Sequence, residues 1–135
     1  RYLALISDRT GSPQVYVRDM QRKKLTRITE NGNYNVSPSW SPDGKFIAYA
    51  SRRSGVSSIY RIDPKSKEEN RVTPKNMNAE SPSWSPDGSM IAFSGKKGGD
   101  WKIYYSLSSG GQAVRLTNSK AGLQETMPSW GPSLR

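Results

Sequence analysis

Two carboxylates, Asp43 and Asp87, stand 44 residues apart in the same tetrapeptide, Ser-Pro-Asp-Gly. Paired carboxylates could serve glycoside hydrolysis as acid and base, or help to hold a calcium ion. Each one, however, lies between a Pro and a Gly. Pro42 and Pro86 hold φ on the way into a tight turn, and Asp-Gly tolerates positive φ within it, so turn chemistry accounts for both aspartates. They are read as turn residues and not as catalytic ones. The chain has no Cys and no His, which excludes disulfides, Cys or His metal ligation and every nucleophile–His couple. The Gly-rich stretches "SGKKGGD" (94–100) and "SSGGQ" (108–112) neither match a phosphate loop nor open a helix, and read as turns. No catalytic residue, cofactor or metal ligand is expected.

Charge offers a second kind of chemistry. Lys plus Arg outnumber Asp plus Glu by 21 to 11, a formal +10 that attracts acidic surfaces and other anions. The cations fall into two sets of connections, Arg9, Arg52, Arg53, Lys96 and Lys97 in one, and Arg22, Lys23, Lys24, Lys65 and Lys67 in the other. Either set could form a basic rim for an acidic partner, or simply solvate strand connections. Nucleic acid is disfavoured, because the Trp and Tyr residues sit at repeat-core and strand positions and make no stacking platform among the charges. Asn35, Glu80 and Glu125 come from the three segments that differ most, "ENGNYNVS", "KNMNAES" and "SKAGLQETM". Loops that vary within a regular array are where binding residues are placed. The expected partner-binding rim is therefore Asn35, Glu80, Glu125, Arg9, Arg52, Arg53, Lys96 and Lys97. Neutralisation of the basic loops by Glu80 and Glu125 is the equal alternative.

These residues are positioned by a repeat. Leu3-Ala4-Leu5-Ile6, Ile47-Ala48-Tyr49-Ala50 and Ile91-Ala92-Phe93-Ser94 recur every 44 residues, as do Val15-Tyr16, Ile59-Tyr60 and Ile103-Tyr104, and Arg27-Ile28-Thr29, Arg71-Val72-Thr73 and Arg115-Leu116-Thr117. Trp40 and Trp84 keep the interval, and Trp130 follows after 46. Within a unit, apolar residues alternate with small or polar ones, which specifies half-buried strands and no helix. In the second unit the strands are expected near Ile47–Ser51, Ser58–Asp63, Asn70–Thr73 and Ser81–Trp84. Four short antiparallel strands in about 44 residues make a propeller blade, with a Trp filling each inter-blade space. The expected fold is all-β: three four-stranded blades, half of a six-bladed ring, in units 1–44, 45–88 and 89–135. Each unit supplies three outer strands and then the inner strand of the next blade. The chain would begin without an inner strand and end with a spare one at 126–130, which closes a ring. An isolated chain of this kind is expected to complete six blades as a two-fold dimer.

"SPSWSPDGKFIAYASRRSG" and "SPSWSPDGSMIAFSGKKGG", followed by "IYRID" and "RVT", resemble the WD40-like repeat of TolB-type β-propellers. The resemblance covers essentially the whole chain, as the last three of six blades. "ISDRTGSPQVYVRD" (6–19) looks like the fourth blade of that family, and "MPSWGPSLR" (127–135) like its chain end. Gly131-Pro132-Ser133 replaces Ser-Pro-Asp there and is expected to mark a true terminus. The resemblance implies a non-enzymatic, periplasmic scaffold of the Tol-Pal system, with a signal peptide upstream of Arg1. It also implies binding to the lipoprotein Pal and other Tol envelope proteins, with colicins as opportunistic ligands, in support of outer-membrane integrity and cell division. Binding would keep Pal from peptidoglycan until energised Tol proteins release it. Similar repeats gate prolyl-oligopeptidase-like peptidases, and a free-standing carbohydrate- or anion-binding propeller module is the other alternative. No apolar run approaches the ~18 residues of a membrane span, so no membrane insertion is expected.

Overall fold

A computed structural model describes residues 1–132. Eleven strands and no helix are found among the described residues. The first sheet holds β1 (Tyr2–Ser7), β2 (Gln14–Asp19) and β3 (Leu25–Arg27). The second holds β4 (Asn35–Trp40), β5 (Ile47–Arg53), β6 (Val56–Ile62) and β7 (Glu69–Arg71). The third holds β8 (Asn78–Trp84), β9 (Met90–Lys96), β10 (Lys102–Leu107) and β11 (Val114–Arg115). All pairings are antiparallel between sequence neighbours, which makes each sheet a meander, the unit of a propeller blade. The first sheet has three strands among the described residues, with β1 at its free edge.

Strand order follows from local chemistry. Asp43 accepts hydrogen bonds from the Ser41 hydroxyl at 2.7 Å and the Lys45 amide at 3.0 Å, while Gly44 takes φ 74°. Asp87 repeats this with Ser85 at 2.8 Å and Ser89 at 3.0 Å, and Gly88 takes φ 75°. The aspartates are thus spent on hairpins between inner strand and neighbour. The Ser89 backbone amide, with the Ser89 and Ser85 hydroxyls, holds the Asp87 carboxyl down at about 2. At the outer edge the Arg-x-Thr triplets end the meander. The Thr29, Thr73 and Thr117 hydroxyls accept the amides of Val15, Ile59 and Ile103, each at 3.0 Å, so a side chain takes over where the backbone ladder stops.

Two cores lie between three sheets. Val15, Val17 and Ile28 meet Ile47, Tyr49 and Ile62 in one. Ala48, Ala50, Ile59 and Val72 meet Trp84, Ile91, Phe93 and Tyr104 in the other. The expectation of half-buried strands is corrected for β5, whose residues Ile47 to Ser51 are all buried. Its alternation is one of size: Ile47 and Tyr49 face the first sheet, and Ala48 and Ala50 leave room for the third.

Trp84 fills its inter-blade space at 7% exposure, and its indole donates to the Ser39 carbonyl of β4 at 2.8 Å. Trp40 packs against the first core. Trp130 differs. It is 37% exposed, its amide donates to the Ser83 hydroxyl at 3.1 Å, and it lines an open cavity with Pro86 and Met90 rather than a closed inter-blade space. Residues 126–130, expected as an inner strand, form none here. They lie against the third sheet, whereas the free edge at β1 belongs to the first. Met127 nevertheless keeps φ 57°, matching Ser37 at 56° and Ser81 at 55° in β4 and β8. Ser133, and with it the end of the Gly-Pro-Ser reading, lies outside the described residues.

Candidate functional site at the inner strands

The inner strands β4 and β8 are irregular at one place. Their register with β5 and β9 shifts between Val36 and Ser39 and between Glu80 and Ser83, and Ser37 and Ser81 carry positive φ there. A bulge re-aims the side chains beside it. Here it opens a cavity of about 280 Å³ lined by Tyr34, Val36, Arg52, Ser57, Glu80 and Met127 among others. The Arg52 guanidinium lies 4.5 Å from the Tyr34 ring centroid, and the Arg52 amide donates to the Tyr34 carbonyl at 3.0 Å. These two contacts fasten the loop before β4 to the end of β5. Among the described residues the Glu80 carboxylate has no ion-pair partner. The cavity thus presents an arginine on an aromatic ring and a free carboxylate, suited to polar side chains of both signs.

Only two of the eight expected rim residues, Arg52 and Glu80, line this cavity. Asn35 is corrected: it is fully buried, donating to Gln14 at 2.8 Å and to the Asn31 carbonyl at 2.9 Å. Glu125 turns the same way, accepting from Lys102 at 3.3 Å and from the Ser119 hydroxyl. That hydroxyl, ahead of Lys102, holds the Glu125 carboxyl below the usual carboxylate range. The repeat register explains the split. Asn35 and Glu125 both align with Ala79, one residue before Glu80, and consecutive strand residues point to opposite faces.

The cations divide by the same rule. Arg9, Arg53 and Lys97 are 44 residues apart, and each stands over the equally spaced Tyr16, Tyr60 and Tyr104, at 5.3, 3.9 and 5.9 Å from the ring centroids. Arg9 also donates to the Ser7 hydroxyl at 3.1 Å. Arg53 is held bidentately by Glu69, at 2.9 Å for both bonds. Arg52 aligns instead with Lys96, which is half-buried, and with Asp8. The expected basic ring is therefore two sets on opposite strand faces, and the first set is engaged with aromatic rings. The signal missed in the sequence is Tyr34, an aromatic one residue before Asn35.

The TolB beta propeller domain family matches residues 1–134. The chain belongs to the TolB β-propeller family. Over 48 residues it is 48% identical to the Tol-Pal system protein TolB of Francisella tularensis subsp. mediasiatica, which is 36% of this chain and 11% of that relative. The crystal structure of TolB from Acinetobacter baumannii superposes with a TM-score of 0.84 at 28% identity, covering 98% of this chain and 33% of that one. The structure of a putative TolB from Agrobacterium tumefaciens gives 0.81 at 25% identity, covering 96% of this chain and 49% of that one. The chain thus spans a third to a half of the solved TolB chains. The three sheets of this TolB-family chain are blades of that propeller, and the bulged strands β4 and β8 are their inner strands.

Proposed function

We propose that this TolB-family chain is part of a non-catalytic, periplasmic scaffold of the Tol-Pal system, and that its inner-strand cavity binds a partner protein, Pal in the first place. In this reading the scaffold supports outer-membrane integrity and cell division by competing with peptidoglycan for Pal. The observation that carries it is the cavity itself, whose lining combines Arg52 on Tyr34 with the unpaired Glu80 and draws Tyr34, Val36, Glu80 and Met127 from the segments that vary between repeats. The test is isothermal titration of purified Pal into the protein and into Arg52→Glu and Glu80→Lys variants. Binding that survives both charge reversals unchanged would remove this cavity from the interface.

For the chain by itself, we propose a two-fold dimer of half-rings. Support comes from the free edge of β1, where Tyr2, Leu3 and Ile6 are exposed, and from Met127, which holds the inner-strand φ without a strand partner. Sedimentation of the isolated chain as a folded monomer would refute it.

A further inference from the structure

The blades can be compared with one another, and the second shows what the third lacks. In the second blade Arg53 lies over Tyr60, and Glu69 fills the space beside the guanidinium with two 2.9 Å hydrogen bonds. In the third blade Lys97 lies over Tyr104, but the residue that aligns with Glu69 is Ala113. The cation and the ring are kept, and the carboxylate is gone. A cavity of about 420 Å³ opens at this rim, lined by Lys97, Tyr104 and Arg115 together with Asp100, Lys102 and Ser119.

The other charges there are already committed. Lys102 is buried and donates to Ser119, to the Leu123 carbonyl at 2.6 Å and to Glu125 at 3.3 Å. Asp100 accepts from the Gly122 amide and the Gln124 side chain, both at 2.7 Å. Arg115 spends only its Nε, on the Thr117 carbonyl at 2.6 Å. Among the described residues neither Lys97 nor Arg115 has an acidic partner. Two cations thus share this lining with the Tyr104 ring, and the one carboxylate in it, Asp100, is taken up by Gly122 and Gln124 and pairs with neither.

We propose that this rim cavity binds a carboxylate from outside the chain, with Lys97 and Arg115 on the carboxylate and its apolar stem against Tyr104, in the place that Glu69 occupies one blade earlier. The inference is independent of the partner-binding function above, because it lies on the opposite strand face from Arg52. A planar guanidinium and an ammonium converging on one anion favour a carboxylate through charge-assisted hydrogen bonds.

The test is an NMR titration of the protein with glutarate at low salt, with sulfate in parallel. The expected result is saturable shifts confined to the amides of Gly98, Gly99 and Ala121. The exposed double substitution Lys97→Gln/Arg115→Gln should weaken binding about tenfold or more, the scale of one lost charge-assisted hydrogen bond. Ala113→Glu should abolish it, because an internal carboxylate then fills the site. Shifts that spread over the basic surface without saturating overturn the proposal, as does an equal response to sulfate at the same amides. Glutarate binding that survives both the double substitution and Ala113→Glu overturns it as well.

Discussion

The Arg53 guanidinium and the Glu69 carboxylate meet by two parallel hydrogen bonds of 2.9 Å, joining the tip of the β5–β6 hairpin to the outer strand β7. Tyr49 donates to the same carboxylate, and Asn31 from the preceding connection adds a bond at 2.9 Å. Glu69 thus ties the first blade to the second. Glu69→Gln, which keeps the shape and removes the charge, is expected to lower stability by about 1–3 kcal/mol, the range for leaving partly buried donors poorly matched. Denaturant unfolding of the variant measures it.

Acid should reproduce that loss in the unaltered protein. Burial acts to raise the Glu69 carboxyl, but hydrogen bonds from Arg53, Tyr49 and Asn31 outweigh it and hold the group below its ordinary range. A depressed folded-state value means that the stabilisation is complete above the unfolded value, about 4.3, and is lost as pH falls through the folded one. Unfolding curves between neutral pH and about pH 3 should steepen in their loss of stability below that point, and less so in Glu69→Gln.

Trp84 and Trp130 share a place in the repeat but not an environment. Trp84→Ala is expected to cost about 3–5 kcal/mol, the scale for emptying a large buried aromatic site. In this chain Trp130→Ala should stay within about 0.5 kcal/mol, as an exposed substitution does. Thermal unfolding of the two variants side by side checks the contrast.

The Thr clasp at the outer edge should be costly to remove. Thr73 is buried and accepts the Ile59 amide. Thr73→Val preserves the volume and orphans that amide, for an expected loss of about 1–3 kcal/mol. Amide hydrogen exchange at Ile59 should accelerate together with the loss of stability.

At the inner-strand cavity, Arg52→Glu and Glu80→Lys should each weaken Pal binding about tenfold or more, while Asn35→Ala should act through stability. Asn35 is buried among Gln14 and Asn31, so its effect should appear in unfolding first. Titration calorimetry together with unfolding curves separates the two effects.

Much of the fold was legible in the residues. The interval of 44, the Asp-Gly turns and the alternating apolar runs specify four-stranded meanders, and β5 to β8 lie within a few residues of their expected places. A strand read as ending at Ser51 groups Arg52 with Arg53 in one rim connection, whereas β5 runs through Arg53 and its alternation sends them to opposite faces. Less legible was Asn35. A polar residue before a strand reads as surface, and only the closeness of Gln14 and Asn31 makes it a buried tether. Tyr34 as a platform for Arg52 was equally hidden, because it stands just ahead of β4 and meets Arg52 only through the pairing of β4 with β5.

The sequence by itself determined the blade, because turn residues and side-chain alternation act over a few neighbouring positions and repeat in register. Tertiary structure alone decided which charges are spent and which are free. Glu69 is consumed by Arg53, and Glu125 by Lys102, whereas Glu80, Lys97 and Arg115 have no opposite charge beside them among the described residues. That outcome depends on pairs brought together from different strands and blades. Coulombic and hydrogen-bond partners are set by distance in space, which no local pattern encodes.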